Sequence, residues 1–576
     1  MLKQEFKPYY DIVIIGSGVS GLTSAAILSK AGYSVCVLES DSRVGGYLAG
    51  FRRKDFRFDT AIHWLNQCGP GGMVTRVFDF IGSDYPVPRV QTIIRRYVGD
   101  SFNYLLTDNP DELRNQWMAE FPHEKEGIIR FFEAAKSLGK SFVNFGRLFR
   151  SMETMNLFEK AQYGLKMLSS AIPFIKYLGY EGEAGLEKGL NKFFKEKKLH
   201  DVFCSEDNIL SCLVPIGWAY FHDYQMPPIG GSQVFPEWLK YVTEYYGNEI
   251  FLKCRVTKIL IENGQSQGVE FEHRGNIHSI KSNYVLAACD VETLYEKMLP
   301  PQYVKEEFKE KLRGAVLYSS SVTISIALDC PAEDLGFGEE LIFITRDDVK
   351  KEEHCNGDPY TSAISILAPA QRDKTLAPEG CGTLTLYVAG NIEYNDFWKA
   401  EKDANGKFIR GEAYKKHKEE YAEILISRVE KQMAPSLRQH ILFYDIATPV
   451  THQRYTGNKN GSIMGAKPGK HNMQAKIAHH QTPVDKLILG GHWAELGGGV
   501  PIAVKSAINA SLVLLKKENK TAYKTLSRFM DGKISTKEVQ AAPCFKPYDN
   551  SWVQNPTPAT RKALREEEVE TDSDFN

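Results

Sequence analysis

No Cys-x-x-Cys pair and no His-Glu-x-x-His run occurs anywhere in the 576 residues. The ten cysteines (Cys36, Cys68, Cys204, Cys212, Cys254, Cys289, Cys330, Cys355, Cys381 and Cys544) are scattered. That argues against a disulfide framework and a structural zinc site, and predicts reduced thiols in a reducing, cytoplasmic compartment with no metal. Charge of either sign is not in excess: the net value is −1, so no global field draws in nucleic acid, and a charged partner needs a local patch. Long apolar runs are also missing. The one candidate anchor, Ile12–Leu28, is broken by three glycines and three serines, and no other stretch approaches the ~20 apolar residues that span a bilayer. An integral membrane protein is not expected, and no internal repeat is visible.

What remains is ordinary globular composition, 43% hydrophobic and 25% charged, in a chain too long for one core. Tyr10–Ile15 reads as a buried strand, Val19–Ala31 as a helix and Ser34–Leu38 as a second, parallel strand. From Asp84 to Val214 helical periodicity dominates, as in Lys125–Leu138 and Leu157–Leu168. Within it Tyr163–Tyr180 is apolar and aromatic, with only Lys166 and Lys176 charged. Strand patterning returns at Ile250–Val256, Lys258–Glu262, Ser266–Phe271, His278–Lys281 and Tyr284–Ala288, then at Ser321–Leu328 and Gly382–Val388, before a charged helix near Tyr414–Met433. The last block is a strand (Leu487–Leu489), a glycine-rich turn (Gly490–Gly499) and a helix (Ala503–Leu515). Beyond Ala541 the polar, acidic composition predicts disorder.

The most informative segment is Asp11–Gly21, which places Gly16-x-Gly18-x-x-Gly21 between a strand and a helix. Gly16 permits the tight turn, Gly18 lets backbone approach a pyrophosphate, and Gly21 allows the helix to pack on the strand. The helix start offers its free N–H groups and positive dipole end to the phosphates. Glu39 ends the second strand, where its carboxylate can accept from a ribose 2′-hydroxyl and would repel a 2′-phosphate. Around these the expected dinucleotide contacts include Ser17, Val19, Ser20 and Ser40. The chain continues as Arg43-Val44-Gly45-Gly46, where an NAD dehydrogenase would normally begin another helix. Two glycines there can run against a flavin diphosphate, with Arg43 as its counter-ion, so FAD is the expected cofactor. No second Gly-x-Gly-x-x-Gly follows a later strand (Gly69-Pro70-Gly71-Gly72 lacks one), and a dedicated NAD(P)H domain is not expected.

The E-x-x-x-R-x-G-G arrangement resembles the flavoprotein group that includes amine oxidases and phytoene desaturases. Phe58-Asp59-Thr60-Ala61-Ile62-His63-Trp64 resembles the F-D-x-G segment of phytoene desaturases and the F-D-T-G-I-H form of retinol saturases, with Ala61 in place of the glycine. Pro228–Ser232 resembles the P-x-G-G-x turn, and Tyr284–Asp290 the V-x-x-A-D-P strand, from which Cys289 and Val291 depart. Arg454–Ser462 resembles a substrate-side segment of saturases and isomerases. Leu489–Pro501 resembles the G-x-G-[IV]-P element beside the isoalloxazine and ribityl chain. Over residues 8 to 515 the chain thus resembles the phytoene desaturase, carotenoid isomerase and retinol saturase family.

The resemblance implies an α/β fold: a Rossmann-like FAD-binding domain of the two-dinucleotide-binding type, with an inserted α+β substrate domain. It implies parts of the FAD domain at 8–83, 215–295 and 446–515. It also implies a helical substrate or membrane subdomain at 84–214, a substrate sheet with helices at 296–445, and an extension with the acidic tail at 516–576. It adds Val256, Gly491, Gly499 and Val500 to the cofactor contacts and offers His63, Tyr455 and His492 as proton donors. Glu495 either orients a flavin edge or caps the helix after it. The implied activity is FAD-dependent oxidation or reduction at C=C bonds of a long isoprenoid, with retinol-saturase-like reduction preferred. The alternatives are cis–trans isomerisation on reduced FAD, a flavin amine oxidase, and a non-enzymatic lipid chaperone. An unidentified electron partner is implied. Tyr163–Tyr180 is either a buried helix pair or a peripheral membrane contact through which a polyene enters, with Lys166, Lys176 and Lys188 at the headgroups.

Overall fold

A computed structural model describes residues 6–60, 64–206, 208–404 and 406–539. Ala61, Ile62, His63 and the acidic tail lie outside the described residues. Tyr9–Ile15 and Val35–Leu38 are runs rich in β-branched residues, buried almost throughout, as parallel strands covered by helices on both faces must be. The helix between them, Val19–Lys30, makes the crossover, and Glu249–Phe251 pairs on the outer side of Val35–Leu38. On the other side of the first strand runs Asn276–Ala287, and beyond it Leu487–Leu489. The strand order reverses at Tyr9–Ile15, so a crevice opens at the carboxyl ends of these strands.

Asn276–Ala287 is one strand where the pattern suggests two. Its first half pairs antiparallel with Gln265–His273, and its second half runs parallel to Tyr9–Ile15. Ser282-Asn283 contains no glycine or proline to stop it, so the hairpin Cys254–Glu262 and Gln265–His273 grows directly out of the parallel sheet. The ordered chain also continues past Leu515: the helix Gly499–Glu518 is followed by Lys520–Met530, whose Leu526, Phe529 and Met530 pack into the same core as Val19–Lys30. Among the described residues Gly499–Glu518 is the one helix long and apolar enough to cross a bilayer, a length the sequence reading did not credit. It is 72% buried and acts as a core helix.

A second seven-stranded sheet runs in the order Ile441–Ala447, Ser320–Leu328, Gly382–Gly390, Ile364–Leu367, Leu341–Ile344, Ile93–Val98 and Asn103–Thr107. All its pairings are antiparallel except that of Leu341–Ile344 with Ile93–Val98. Helices Pro110–Glu120, Lys125–Gly146 and Ile209–Tyr220 share an aromatic core around Trp117 and Phe131 with the edge of this sheet. Lys125–Gly146 and Ile209–Tyr220 cross at glycines: a Cβ on Gly139 would lie 2.2 Å from the Gly217 carbonyl oxygen. Helix Leu157–Ile175 starts at a capping box, Asn156 with Glu159, and buries only Ser170. Gly139→Val should force the two crossing helices apart, costing about 1–3 kcal/mol as overpacking. Thermal unfolding measures this, and an unchanged midpoint would show that the helices do not meet so closely.

Candidate functional site

The crevice at the strand reversal opens into a cavity of about 1590 Å³ that continues between the two sheets and under the helical layer. At its first end the glycine turn is held by backbone. Gly45 N–H donates to the Ser17 carbonyl at 3.0 Å, and Gly18 bridges to Gly45. Gly46, at φ +56°, lies so close to Gly18 that a Cβ would stand 3.3 Å from its Cα. Glu39 is buried; one of its oxygens accepts from the Ser17 N–H and hydroxyl, both at 2.7 Å, and the other from Asp41 N–H at 2.8 Å. The last turn docks here too: Gly490 N–H donates to the Ala287 carbonyl at 2.7 Å, and Gly491 N–H to the Ser20 hydroxyl at 3.0 Å.

Of the expected cofactor contacts, Gly16, Gly18, Val19, Ser20, Glu39, Ser40, Gly45, Gly46, Val256, Gly491, Gly499 and Val500 all line this cavity. Three do not. Ser17 is spent on Glu39. Gly21 works inside the fold, since a Cβ there would stand 2.1 Å from the Gly16 carbonyl oxygen. Arg43 does not reach the cavity wall; its guanidinium donates to the Gly50 carbonyl at 2.6 Å. The segment Phe58–Thr60 braces the turn at Pro228–Ser232: Asp59 accepts from Ser232 N–H at 2.9 Å and its hydroxyl at 2.7 Å.

In the middle of the cavity stand Tyr47, Tyr455 and His492. Tyr47 donates to the Ser462 carbonyl at 2.8 Å, and burial pushes its phenol up to about 12. Tyr455 is 42% exposed on helix Pro449–Thr456, with the Arg454 guanidinium 5.1 Å from its ring centroid. His492 packs on Trp493, and its Nε2 is buried without a hydrogen-bond partner. Burial lowers its pKa to about 4, so it is a neutral imidazole at physiological pH. His63 lies outside the described residues.

Glu495 does not take the capping role. No side chain caps the helix Gly499–Glu518, and the Glu495 carboxylate is committed to Lys505 Nζ at 3.1 Å, Asn509 Nδ2 at 3.1 Å and His480 Nε2 at 3.5 Å. Burial alone would raise its pKa, but Lys505 and His480 hold it down at about 2. Lys505 itself lines the cavity beside Tyr163; burial opposes its charge, and Glu495 more than offsets that. The partners of Glu495 are chosen by the fold and lie 10 to 15 residues away along the chain. Arg95 was also missed: it is a charge in the apolar strand Ile93–Val98 that turns inward.

At the far end Phe142, Phe145, Tyr163, Met167 and Trp218 line the cavity. Tyr163 and Met167 belong to Leu157–Ile175, whose opposite face exposes Leu165 (72%), Leu168 (58%) and Ile172 (59%).

Comparison with known proteins agrees with this layout. Residues 14–81 match the model of the NAD(P)-binding Rossmann-like domain. The chain is 25% identical to a chloroplastic prolycopene isomerase of Daucus carota, over 85% of this chain and 77% of the relative. It is 24% identical to an all-trans-retinol 13,14-reductase of Danio rerio, over 91% and 89%. A putrescine oxidase structure superposes with a TM-score of 0.53 at 15% identity, covering 90% of this chain and 99% of that one. An oxidoreductase from Methanosarcina mazei gives a TM-score of 0.53 at 17% identity, over 88% and 100%. Those structural likenesses establish the fold.

Gly18 and Gly21 separate cofactor binding from folding. A Cβ on Gly18 meets nothing within 4 Å and points into open cavity, whereas one on Gly21 collides with backbone. Gly18→Val should fold with a near-normal melting curve yet purify without bound dinucleotide, while Gly21→Val should fail to accumulate as folded protein. Normal dinucleotide content in Gly18→Val, read from its absorbance spectrum, would refute the assignment.

Proposed function

Because this chain is a relative of the prolycopene isomerases and the all-trans-retinol 13,14-reductases, we propose that it is an FAD-dependent oxidoreductase acting on carbon–carbon double bonds of a long apolar polyene. The observation that carries the reading is the continuous cavity, which joins a dinucleotide-sized glycine cleft to an aromatic chamber. The cleft suits FAD: open space over Gly18, a buried carboxylate at Glu39, and a second glycine turn closing on the first through Gly491 and Ser20. Glu39 would receive the adenosine ribose, the turn Gly16–Gly21 with Gly45-Gly46 the diphosphate, and Val256, Gly499 and Val500 the flavin end. When bound, the flavin supplies reversible two-electron exchange with a C–C/C=C couple. On this reading 8–83, 215–295 and 446–515 form the cofactor domain, 84–214 and 296–445 the substrate side, and 516–576 an extension.

The chain's own residues supply position, dryness and a proton. Reduction of a double bond needs a proton on one carbon. Tyr455 and His492 both face the cavity, and His63 remains a candidate from its motif. His492 is held neutral by burial, so as an acid it would give up a ring N–H rather than act as an imidazolium. The aromatic chamber excludes water around the polyene. Redox-neutral cis–trans isomerisation on the reduced cofactor is the second reading, favoured by the kinship to prolycopene isomerase at 25% identity.

We also assign the outer face of helix Leu157–Ile175 to a peripheral contact with the membrane on its cytoplasmic side. One face of this helix lines the cavity while the other exposes Leu165, Leu168, Ile172 and Ile175, with Lys166, Lys176 and Lys188 positioned for headgroups. A water-insoluble substrate would then enter from lipid. Leu168→Glu with Ile172→Glu should reduce co-sedimentation with phospholipid vesicles severalfold and leave cofactor content unchanged; undiminished sedimentation would refute the contact.

The activity itself is tested by reducing the purified protein anaerobically and adding all-trans-retinol or a poly-cis carotene. Reoxidation with a saturated product supports the first reading, and an isomerised product with unchanged flavin the second. Both polyenes recovered untouched would overturn both.

A further inference from the structure

The substrate cavity is not uniformly apolar. Its floor is the second sheet, where Tyr387, Ser365, Phe343 and Arg95 stand on one face of four adjacent strands and all line the cavity. Tyr387 lies in the field of Tyr47, next to the cofactor turn. Arg95 is on the strand three spacings away, about 14 Å across the sheet.

Arg95 is 8% exposed, and its guanidinium lies 5.9, 5.7 and 5.8 Å from the ring centroids of Trp64, Tyr97 and Phe343. Its neighbour Arg96 points to the other side and pairs with Glu340 at 2.7 Å, but Arg95 has no ion-pair partner among the described residues. Its Nε is buried without a hydrogen bond, and so is the hydroxyl of Tyr224, whose ring packs against Trp64 and Trp218. Burial works against this charge, and the field of Tyr97, Tyr224 and Glu206, the last also on the cavity wall, keeps the group cationic. An aromatic cage softens the cost of burying a guanidinium but does not satisfy its N–H donors. Buried donors left without acceptors are costly, and a cation in an apolar wall is best compensated by a bidentate anion.

We propose that Arg95 is the polar anchor of the substrate cavity, and that the substrate it selects is a polyene ending in a carboxylate. The anchor fixes the chain end about three strand spacings from the cofactor turn, so it sets which double bond reaches the reacting position. Tyr224 donates a second hydrogen bond to the same carboxylate. This inference rests on the polyene reading above.

The test is binding without turnover. The cofactor-bound protein is titrated with all-trans-retinoic acid, all-trans-retinol and the parent hydrocarbon axerophtene, followed by quenching of tryptophan fluorescence. The acid should bind about tenfold or more tightly than the other two. Arg95→Gln should weaken the acid by about ten- to a hundredfold and leave axerophtene unchanged. Tyr224→Phe keeps the ring packing and should weaken the acid by about three- to tenfold, so it carries the test if Arg95→Gln does not fold. Equal affinities for the three ligands, tighter binding of the alcohol, or an equal loss for all three in the variants would overturn the anchor while leaving the polyene reading intact. Failure of all three to bind would overturn both.

Discussion

A Cβ on Gly21 would stand 2.1 Å from the Gly16 carbonyl oxygen, and one on Gly16 would stand 3.0 Å from the carbonyl oxygen of Ala288. Three stretches of backbone therefore meet here with no room for side chains: the first turn, the end of strand Asn276–Ala287, and the turn after Leu487–Leu489, which joins through Gly490 and Gly491. The rest of the architecture depends on this approach. It sets the height of helix Val19–Lys30 above the sheet, brings helix Gly499–Glu518 against it, and leaves at the strand ends a crevice where a long ligand can reach both glycine turns.

How much of this was legible in the sequence depends on how local each feature is. The turn Gly16–Gly21 was readable because its function needs consecutive backbone geometry, and twelve expected contacts do line the cavity. The partner of Arg43 was not legible, because a long side chain chooses its partner in three dimensions, and here one guanidinium nitrogen donates to the Gly50 carbonyl. Glu495 shows the same limit: Lys505 and Asn509 reach it one helical turn apart, and His480 comes from a separate loop. Strand Asn276–Ala287 read as two because its burial pattern changes midway, where it stops facing a hairpin and starts facing helices. Lys520–Met530 was overlooked because an eleven-residue helix with six polar or basic positions resembles a solvated tail until its Leu526 and Phe529 find a core.

The net charge of −1 conceals how the charge is used. Lys505 and Glu495 neutralise each other inside the cavity wall, and their pairing ties the second turn to its helix. Arg150 does comparable work at the base of helix Leu157–Ile175, nearly fully buried and paired with Glu159 and Asp531 at 3.0 Å each. That helix is thereby fixed at its start while its outer apolar face stays uncovered.

The order in which the parallel strands occur along the chain has a consequence for how the protein is made. Four of the five are complete once Ala287 has been synthesised, but Leu487–Leu489 and the glycine turn behind it come about 200 residues later, roughly 10–40 s at ordinary rates of translation. During that interval the edge of Asn276–Ala287 is an unpaired template, and the apolar helix Leu157–Ile175 has already left the ribosome. The nascent chain is thus at its stickiest before its cofactor cleft can close. Binding of the dinucleotide can reward only the finished molecule, which makes cofactor supply a determinant of folding yield as well as of activity.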